Sequence, residues 1–255
     1  MIDLHCHILP GVDDGAKTLN DSLIMAKRAV SEGIHTIIAT PHHQNGKYIN
    51  DRLDILCRVK ILNEELRKNN IALNVLSGQE VRIYRELLGD YKLGKVATLN
   101  ETGKYVLIEF PTTHVPYYVE RLFYDLQLEG IIPMIAHPER NVELIEKPNK
   151  LFDLVKNGAL TQVTAGSLVG VFGKKIQKFS MQIVEHHLAH VIASDAHNTT
   201  TRTFHLKTGF EMVEKRFGLK NVDIFKQRSN SIISGKSIYS ELPERIPRRK
   251  IFGIF

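Results

Sequence analysis

Nine side chains able to bind a cation follow one another down the chain in a repeating context. His5 and His7 come directly after the short run Ile2-Asp3-Leu4, with Asp14 just beyond. His42, Glu80, Glu109, His137, Asp195 and His197 each end or follow a strand-like stretch. Along an extended backbone, residues two apart share a face, so the imidazoles of His5 and His7 can reach one point and form half of a metal site. Nine nitrogen and carboxylate donors exceed the needs of one ion, so two or three divalent ions sharing a carboxylate are expected. Asp14, Glu80, Glu109 and Asp195 are acidic, whereas Arg140 and Arg202 follow His137 and His197 by three and five residues. With three divalent ions and both arginines the pocket would carry about four positive charges, which suits a phosphate gripped bidentately. His43, next to His42, is free to contact substrate and is a candidate general acid. The Cys-x5-Arg spacing of a thiolate phosphatase is missing: six residues after Cys6 stands Val12, and six after Cys57 stands Asn63. Phosphate ester hydrolysis would therefore rely on metal-activated water.

The elements that position these donors alternate. Strands are expected at Ile2–Leu4, Ile34–Thr40, Ala72–Leu76, Tyr105–Phe110, Ile131–Ala136, Ala159–Thr164 and His190–Ala193, from apolar and β-branched runs bounded by turn residues. Helices are expected between them. Thr18-x-x-Asp21 reads as a helix start, with Leu19, Leu23, Ala26 and Val30 on one face. Further helices are expected at about Asp51–Asn69, Pro116–Glu129, up to Asn157, and Lys174–Leu188. Glu32-Gly33-Ile34, Glu129-Gly130-Ile131 and Asn157-Gly158-Ala159 repeat one junction of helix, glycine cap and buried strand. Residues 81–103 have mixed patterning and receive no assignment, and the sixth strand, ending in Ala165-Gly166-Ser167, offers no ligand. Strands alternating with helices pair in parallel, so the chain reads as a single-domain (β/α)7 barrel over residues 1–242, with chemistry at the C-terminal strand ends. No Gly-x-Gly-x-x-Gly follows the first strand, which argues against a dinucleotide fold.

Composition narrows the function classes. Of the 255 residues 24% are charged and 43% apolar, ordinary for a globular protein. No apolar run approaches the roughly 18 residues of a membrane helix, and strand-like sequence from Ile2 leaves no room for a signal peptide. Two cysteines make no disulfide framework, so a reducing cytoplasm is expected. The absence of tryptophan and the scattered lysines argue against nucleic acid as a partner. Residues 243–255 form a basic and aromatic tail. It is expected either to strap onto the barrel or to contact an anionic membrane surface transiently.

His5-x-His7, Thr40-Pro41-His42, Gly78-Gln79-Glu80, Glu109, Ala136-His137-Pro138-Glu139-Arg140 and Ser194-Asp195-Ala196-His197-Asn198 resemble the signature of the PHP (polymerase and histidinol phosphatase) superfamily. More narrowly, Ile2 to Pro10, Asp13-Asp14-Gly15 and Ile38 to His43 are similar to the manganese-dependent bacterial protein-tyrosine phosphatases of capsule and exopolysaccharide loci. The similarity runs along essentially the whole chain. The resemblance implies a distorted TIM-like PHP fold and three manganese-like ions, with iron, cobalt, zinc and magnesium left open. One ion would take His5, His7, Glu80 and Asp195, the second Glu80, Glu109 and His137, and the third Asp14, His42 and His197. Arg140 and Arg202 would hold the phosphoryl oxygens, and the substrate would be a tyrosine-phosphorylated kinase controlling polysaccharide export. Alternatives on the same fold are a histidinol-phosphate type phosphatase, a phosphodiesterase, and a non-catalytic scaffold that regulates the kinase.

Overall fold

The computed structural model describes residues 1–247, so the tail beyond Pro247 lies outside the described residues. Nine strand segments run in the order β1 (Ile2–Cys6), β2 (Thr36–Ala39), β3 (His42–His43), β4 (Asn74–Ser77), β5 (Glu80–Arg82), β6 (Tyr105–Glu109), β7 (Ile132–Ala136), β8 (Leu160–Thr164) and β9 (Val191–Ala193). The helices are α1 (Leu19–Ser31), α2 (Arg52–Lys68), α3 (Leu87–Lys92), α4 (Val119–Leu128), α5 (Val142–Glu146), α6 (Pro148–Lys156), α7 (Ala165–Leu168), α8 (Lys174–Glu185), α9 (Leu206–Phe217) and α10 (Leu219–Ile233). All named pairings are parallel, in two sheets ordered β1-β2-β4 and β3-β5-β6-β7-β8-β9. The result is a mixed α/β single domain.

Nine segments replace the seven expected strands because the second and third are each interrupted. Thr40-Pro41 separates β2 from β3, and Pro41 has no N–H to donate to a ladder. Gly78-Gln79 separates β4 from β5. A Cβ on Gly78 would lie 2.5 Å from Ile38 Cγ2, so only glycine lets the two chains approach there. Past the breaks His42 pairs with Glu80, and the β1 end is tied to the β9 end. Cys6 bridges Ala196, the Asp195 amide donates to His5 O (2.8 Å), and the His7 amide donates to Ala196 O (2.9 Å).

Two apolar clusters reveal the pleat. Leu4, Ile38, Tyr105, Leu107, Met134, Ala136, Val191 and Ala193 pack together inside the strands. Their neighbours Ile37, Ala39, Val106, Ile108, Ile135 and Ile192 pack outward under the helices. Ile232 of α10 joins the inner cluster, while Asn100 donates to Ile233 O and Tyr105 to Lys236 O, sealing the interior at the start of the strands.

Helix α1 begins with the expected capping box between Thr18 and Asp21. Of the predicted face, Ala26 is buried and Leu23 packs against the core, whereas Leu19 and Val30 are exposed and Ser22, Met25 and Ala29 are buried in their place. Small residues at 22, 26 and 29 let the helix approach the sheet closely, and the Ser22 hydroxyl donates to Ile8 O (2.7 Å). The helix expected up to Asn157 is two, α5 and α6, with Pro148 opening the second. The three glycine junctions all adopt left-handed φ, 81° at Gly33, 78° at Gly130 and 95° at Gly158. The unassigned stretch 81–103 holds β5, α3 and a 3-10 turn at Leu99–Glu101. The first part of the tail packs down: Ile246 is buried, Arg245 lies over Phe152 (4.2 Å), and the Glu244 amide donates to His186 O (2.9 Å).

Candidate metal centre and phosphate cleft

A bulge in β1 delivers the first two histidines. Asp3 pairs with Ile37 but Cys6 with Ala39, so β1 carries one more residue than β2 over that span. The bulge reverses the pleat between Leu4, which faces the inner cluster, and Cys6, which faces the outer one. His5 and His7 therefore both point inward above Leu4, a re-aiming that bulges commonly provide near active sites. Cys6 is buried in the wall, and burial pushes its thiol well above its ordinary value, so it is inert.

His5 Nε2, His7 Nε2, Glu80 Oε2 and Asp195 Oδ1 meet at one point. His5 Nε2 lies 3.2 Å from His7 Nε2, 3.4 Å from Glu80 and 3.3 Å from Asp195, and His7 Nε2 is 3.3 Å from each carboxylate oxygen. Each ring's other nitrogen is engaged: His5 Nδ1 donates to Gln162 Oε1 (2.8 Å) and His7 Nδ1 to Asp13 Oδ2 (2.7 Å). That leaves two nitrogen lone pairs facing two carboxylate oxygens, an arrangement that a cation satisfies. A tetrahedron with edges of this length has its centre roughly 2 Å from each corner, a metal–nitrogen distance. The same field raises His7 well above its ordinary basicity: burial opposes the shift, and Asp13, Asp195 and Glu80 outweigh it. A proton or a divalent ion would answer the same negative charge.

Two further donor groups adjoin the first. His7, Asp14, His42 and His197 form one, and His42, Glu80 and Glu109 the other. His42 Nδ1 is 2.8 Å from Glu80 Oε2, while His42 Nε2 and His197 Nε2 are each 3.4 Å from Asp14 Oδ1. His197 Nδ1 donates to the Asp195 carbonyl (2.9 Å), leaving its Nε2 free. His137 Nε2 lies 2.8 Å from Glu80 Oε1 and 4.0 Å from Glu109 Oε1. Ala136 already faces inward, so regular pleating would turn His137 out. Its left-handed backbone (φ 34°) ends the alternation and brings the ring to Glu80. Asp195 is left-handed too (φ 53°), and backbone strain of this kind gathers at functional sites. Burial and then Arg140 lower His137 to about 4, whereas burial and then Glu80 raise Glu109 to about 7. For all their closeness, His42 Nδ1, Glu80 Oε2, Asp195 Oδ1 and His197 Nε2 are buried without a hydrogen bond of proper geometry. The residues fit a multinuclear metal site.

All nine expected donors thus converge, and both arginines reach them. Arg140 lies 2.7 Å from Asp195 Oδ2 and over Phe172 (5.4 Å), and Arg202 is 3.3 Å from both Asp14 and Asp195. Both line a half-open cleft of about 430 Å³ together with Asp14, His42, Glu109 and His137. His43 is not brought there. On β3 its neighbour His42 faces in, so His43 faces out, fully buried beside Asn50. Burial lowers its basicity, which unsuits it to protonating a leaving group.

Residues not anticipated from the sequence support the site. Arg82 lines the cleft and grips Glu109 Oε2 through Nε (3.0 Å) and Nη2 (2.9 Å). The inward parity of Glu80 extends to Arg82 and could have revealed it. Asp13 orients His7 and accepts the His42 amide (3.1 Å), and Gln162 gives the supposedly silent sixth strand a role. Buried Asp3 accepts from the Ser194 amide (2.8 Å) and hydroxyl (2.5 Å), anchoring the loop that presents Asp195.

A family model described as capsular polysaccharide synthesis, CpsB/CapC, matches residues 1–234. The chain belongs to the CpsB/CapC family. This CpsB/CapC chain is 49% identical over 255 residues to tyrosine-protein phosphatase YwqE of Bacillus subtilis, covering 100% of both. It is 29% identical over 244 residues to tyrosine-protein phosphatase CpsB of Streptococcus agalactiae, covering 93% of this chain and 100% of that one. A solved structure from work on YwqE from B. subtilis and CpsB from Streptococcus pneumoniae, described as unique metal-dependent tyrosine phosphatases, superposes with a TM-score of 0.95 at 48% identity. The match covers 97% of this chain and 100% of that one. The phosphotriesterase homology protein of Escherichia coli shares the fold alone, with a TM-score of 0.56 at 11% identity over 90% of this chain and 97% of that one.

Proposed function

We propose that this CpsB/CapC protein is a metal-dependent tyrosine-protein phosphatase, acting on a tyrosine-phosphorylated kinase of capsular or extracellular polysaccharide synthesis in the cytoplasm. The observation that carries the chemistry is the meeting of His5, His7, Glu80 and Asp195 donor atoms at 3.2–3.4 Å, beside a cleft lined by Arg82, Arg140 and Arg202. The YwqE and CpsB relatives support the phosphotyrosine specificity. In this reading the seven strand positions close into a (β/α)7 barrel, residues 1–242, with 243–255 as its tail. His5, His7, Glu80 and Asp195 would hold one ion, Glu80, Glu109 and His137 a second, and Asp14, His42 and His197 a third, with manganese as the metal this reading favours. When bound, such ions polarise the phosphoryl group and lower the pKa of water to supply a nucleophile.

The protein's own groups do the rest. Arg140 and Arg202 turn from their carboxylates to the phosphoryl oxygens and hold them where negative charge develops. Asp13 and Gln162 fix the tautomers of His7 and His5. The departing phenolate has a pKa near 10, so it leaves with little help from a general acid. The half-open cleft suits a tyrosine presented on a protein better than a metabolite that must be enclosed.

The test is metal-stripped protein restored with single metals and assayed on a phosphotyrosine peptide, histidinol phosphate and a phosphodiester in parallel. Manganese-restored turnover of the peptide above the other two is expected. Full turnover by chelator-treated protein, or preference for histidinol phosphate, would overturn the reading.

A further inference from the structure

Three residues beyond Arg82 of the cleft wall stands a cation that the chemistry above does not use. Arg85 follows β5 by three residues and is exposed, with no carboxylate partner among the described residues, whereas Arg82, Arg140 and Arg202 are all paired. Its guanidinium lies 4.8 Å from the ring centre of Tyr117 and 4.9 Å from that of Tyr118, and the two rings meet edge to face at 5.6 Å. Tyr118 is pinned by donating to Ile83 O (3.2 Å), and Tyr117 is 84% exposed. The Ile83 amide in turn donates to Glu109 O (2.9 Å), so this cluster is one residue removed from the cleft wall formed by Arg82 and Glu109.

An arginine stacked on aromatic rings keeps its donors outward and has already lost rotamer freedom, so binding an anion costs it less ordering. Resting on the phosphotyrosine reading above, we propose that Arg85, clamped by Tyr117 and Tyr118, docks an acidic side chain beside the phosphotyrosine of the protein substrate. The occupant is a carboxylate because the unpaired cation lacks only its counter-charge, and the exposed Tyr117 ring offers a surface for the intervening backbone. Arg85 lies three residues from Arg82 of the cleft wall, at most about 10 Å of backbone, so the acidic residue is placed within a few positions of the phosphotyrosine.

The experiment compares kcat/KM of the manganese-loaded full chain on three phosphotyrosine peptides flanked by Glu, Ala or Lys, with free phosphotyrosine as control. Wild type is expected to prefer the Glu peptide. Arg85→Ala should reduce that preference about fivefold through KM, and Arg85→Glu should reverse it towards Lys. Tyr117→Ala should fall between wild type and Arg85→Ala, while all three variants hydrolyse free phosphotyrosine as wild type does. An unchanged Glu-to-Lys ratio in Arg85→Glu would overturn the docking role while leaving the phosphatase reading intact. The docking role is also overturned if Arg85→Ala alters only the oligomeric state in sedimentation, since the face then meets a second copy. Failure of wild type on every peptide would overturn both.

Discussion

Single residues separate binding of the phosphoryl group from binding of metal. Arg140 reaches the centre only through Asp195 Oδ2, whereas the Asp195 oxygen that faces His5 and His7 is Oδ1. Arg140→Ala should therefore keep the metal content measured by elemental analysis and lose roughly 10²-fold or more in kcat/KM, the scale of one preorganised charge donor. Loss of metal in that variant would contradict the assignment. Asp13 acts one step behind a ligand, holding the His7 Nδ1 proton. Asp13→Ala should weaken metal binding by about 10- to 100-fold, read by titration with a competing chelator. The sequence displays its donors because strand ends in such a fold are crowded with them, and nothing else explains so many His, Asp and Glu at those spacings. It misleads at His43, where adjacency to His42 suggests a shared role and the pleat forbids one. Arg82 was legible by the same parity, two residues after Glu80. Phe172, by contrast, leaves no trace in spacing, because it reaches Arg140 from a separate loop.

At the level of elements, short backbone irregularities convert an ordinary pleat into a site. The β1 bulge, the Thr40-Pro41 and Gly78-Gln79 breaks, and the left-handed His137 and Asp195 each redirect a ligand. Apolar patterning does not register such features, which is why the strands were legible and their interruptions were not. Half of the α1 face, Leu19 and Val30, turns out exposed for a related reason: large apolar residues attract attention, but close approach to a sheet selects small ones. Gly15 shows how little room remains. A Cβ there would sit 2.1 Å from His7 O and 2.5 Å from His7 Cβ. Gly15→Ala should displace His7, so that metal content falls while far-ultraviolet circular dichroism still reports a folded chain. At the junction of β8 and β9, buried His190 accepts from the Thr161 amide (3.1 Å), and burial followed by Arg228 lowers it from 6.5 to about 3. Between those values the unfolded chain binds a proton that the folded one refuses. The neutral form's stability is thus complete above about pH 6.5 and is lost as pH falls towards 3. Between pH 7 and 5 this one group should cost about 2 kcal/mol. Urea melts of His190→Gln under the same metal conditions should show a pH dependence shallower by that amount.

For the whole molecule, the described part of the tail behaves as a strap. Ile246 is buried, and Arg245 pairs with Asp153 (3.2 Å) as well as stacking on Phe152. Ending the chain at Leu242 should lower unfolding stability by about 2 kcal/mol, most of it from Ile246, with thermal melts as the measure. Equal melting of the two forms would show that the strap holds nothing. The alternation of strand and helix is readable in the sequence because each apolar run is bounded by a glycine or a polar cap; the helices α9 and α10 follow the last donor, meet at Gly218 and have no strand after them to complete the repeat. The strand breaks have a mechanical consequence. Because β4 ends the sheet β1-β2-β4 while only its continuation β5 pairs with β6, the start of β4 has a ladder on one side only, and the turn Leu99–Glu101 merely leans across the gap. The molecule has a seam there, on the side away from the metal ligands. Thermal opening should begin along it, with the amides of Asn74–Ser77 exchanging with deuterium before those of Leu107 and Ile108. A fold that yields at its floor can breathe without loosening its mouth.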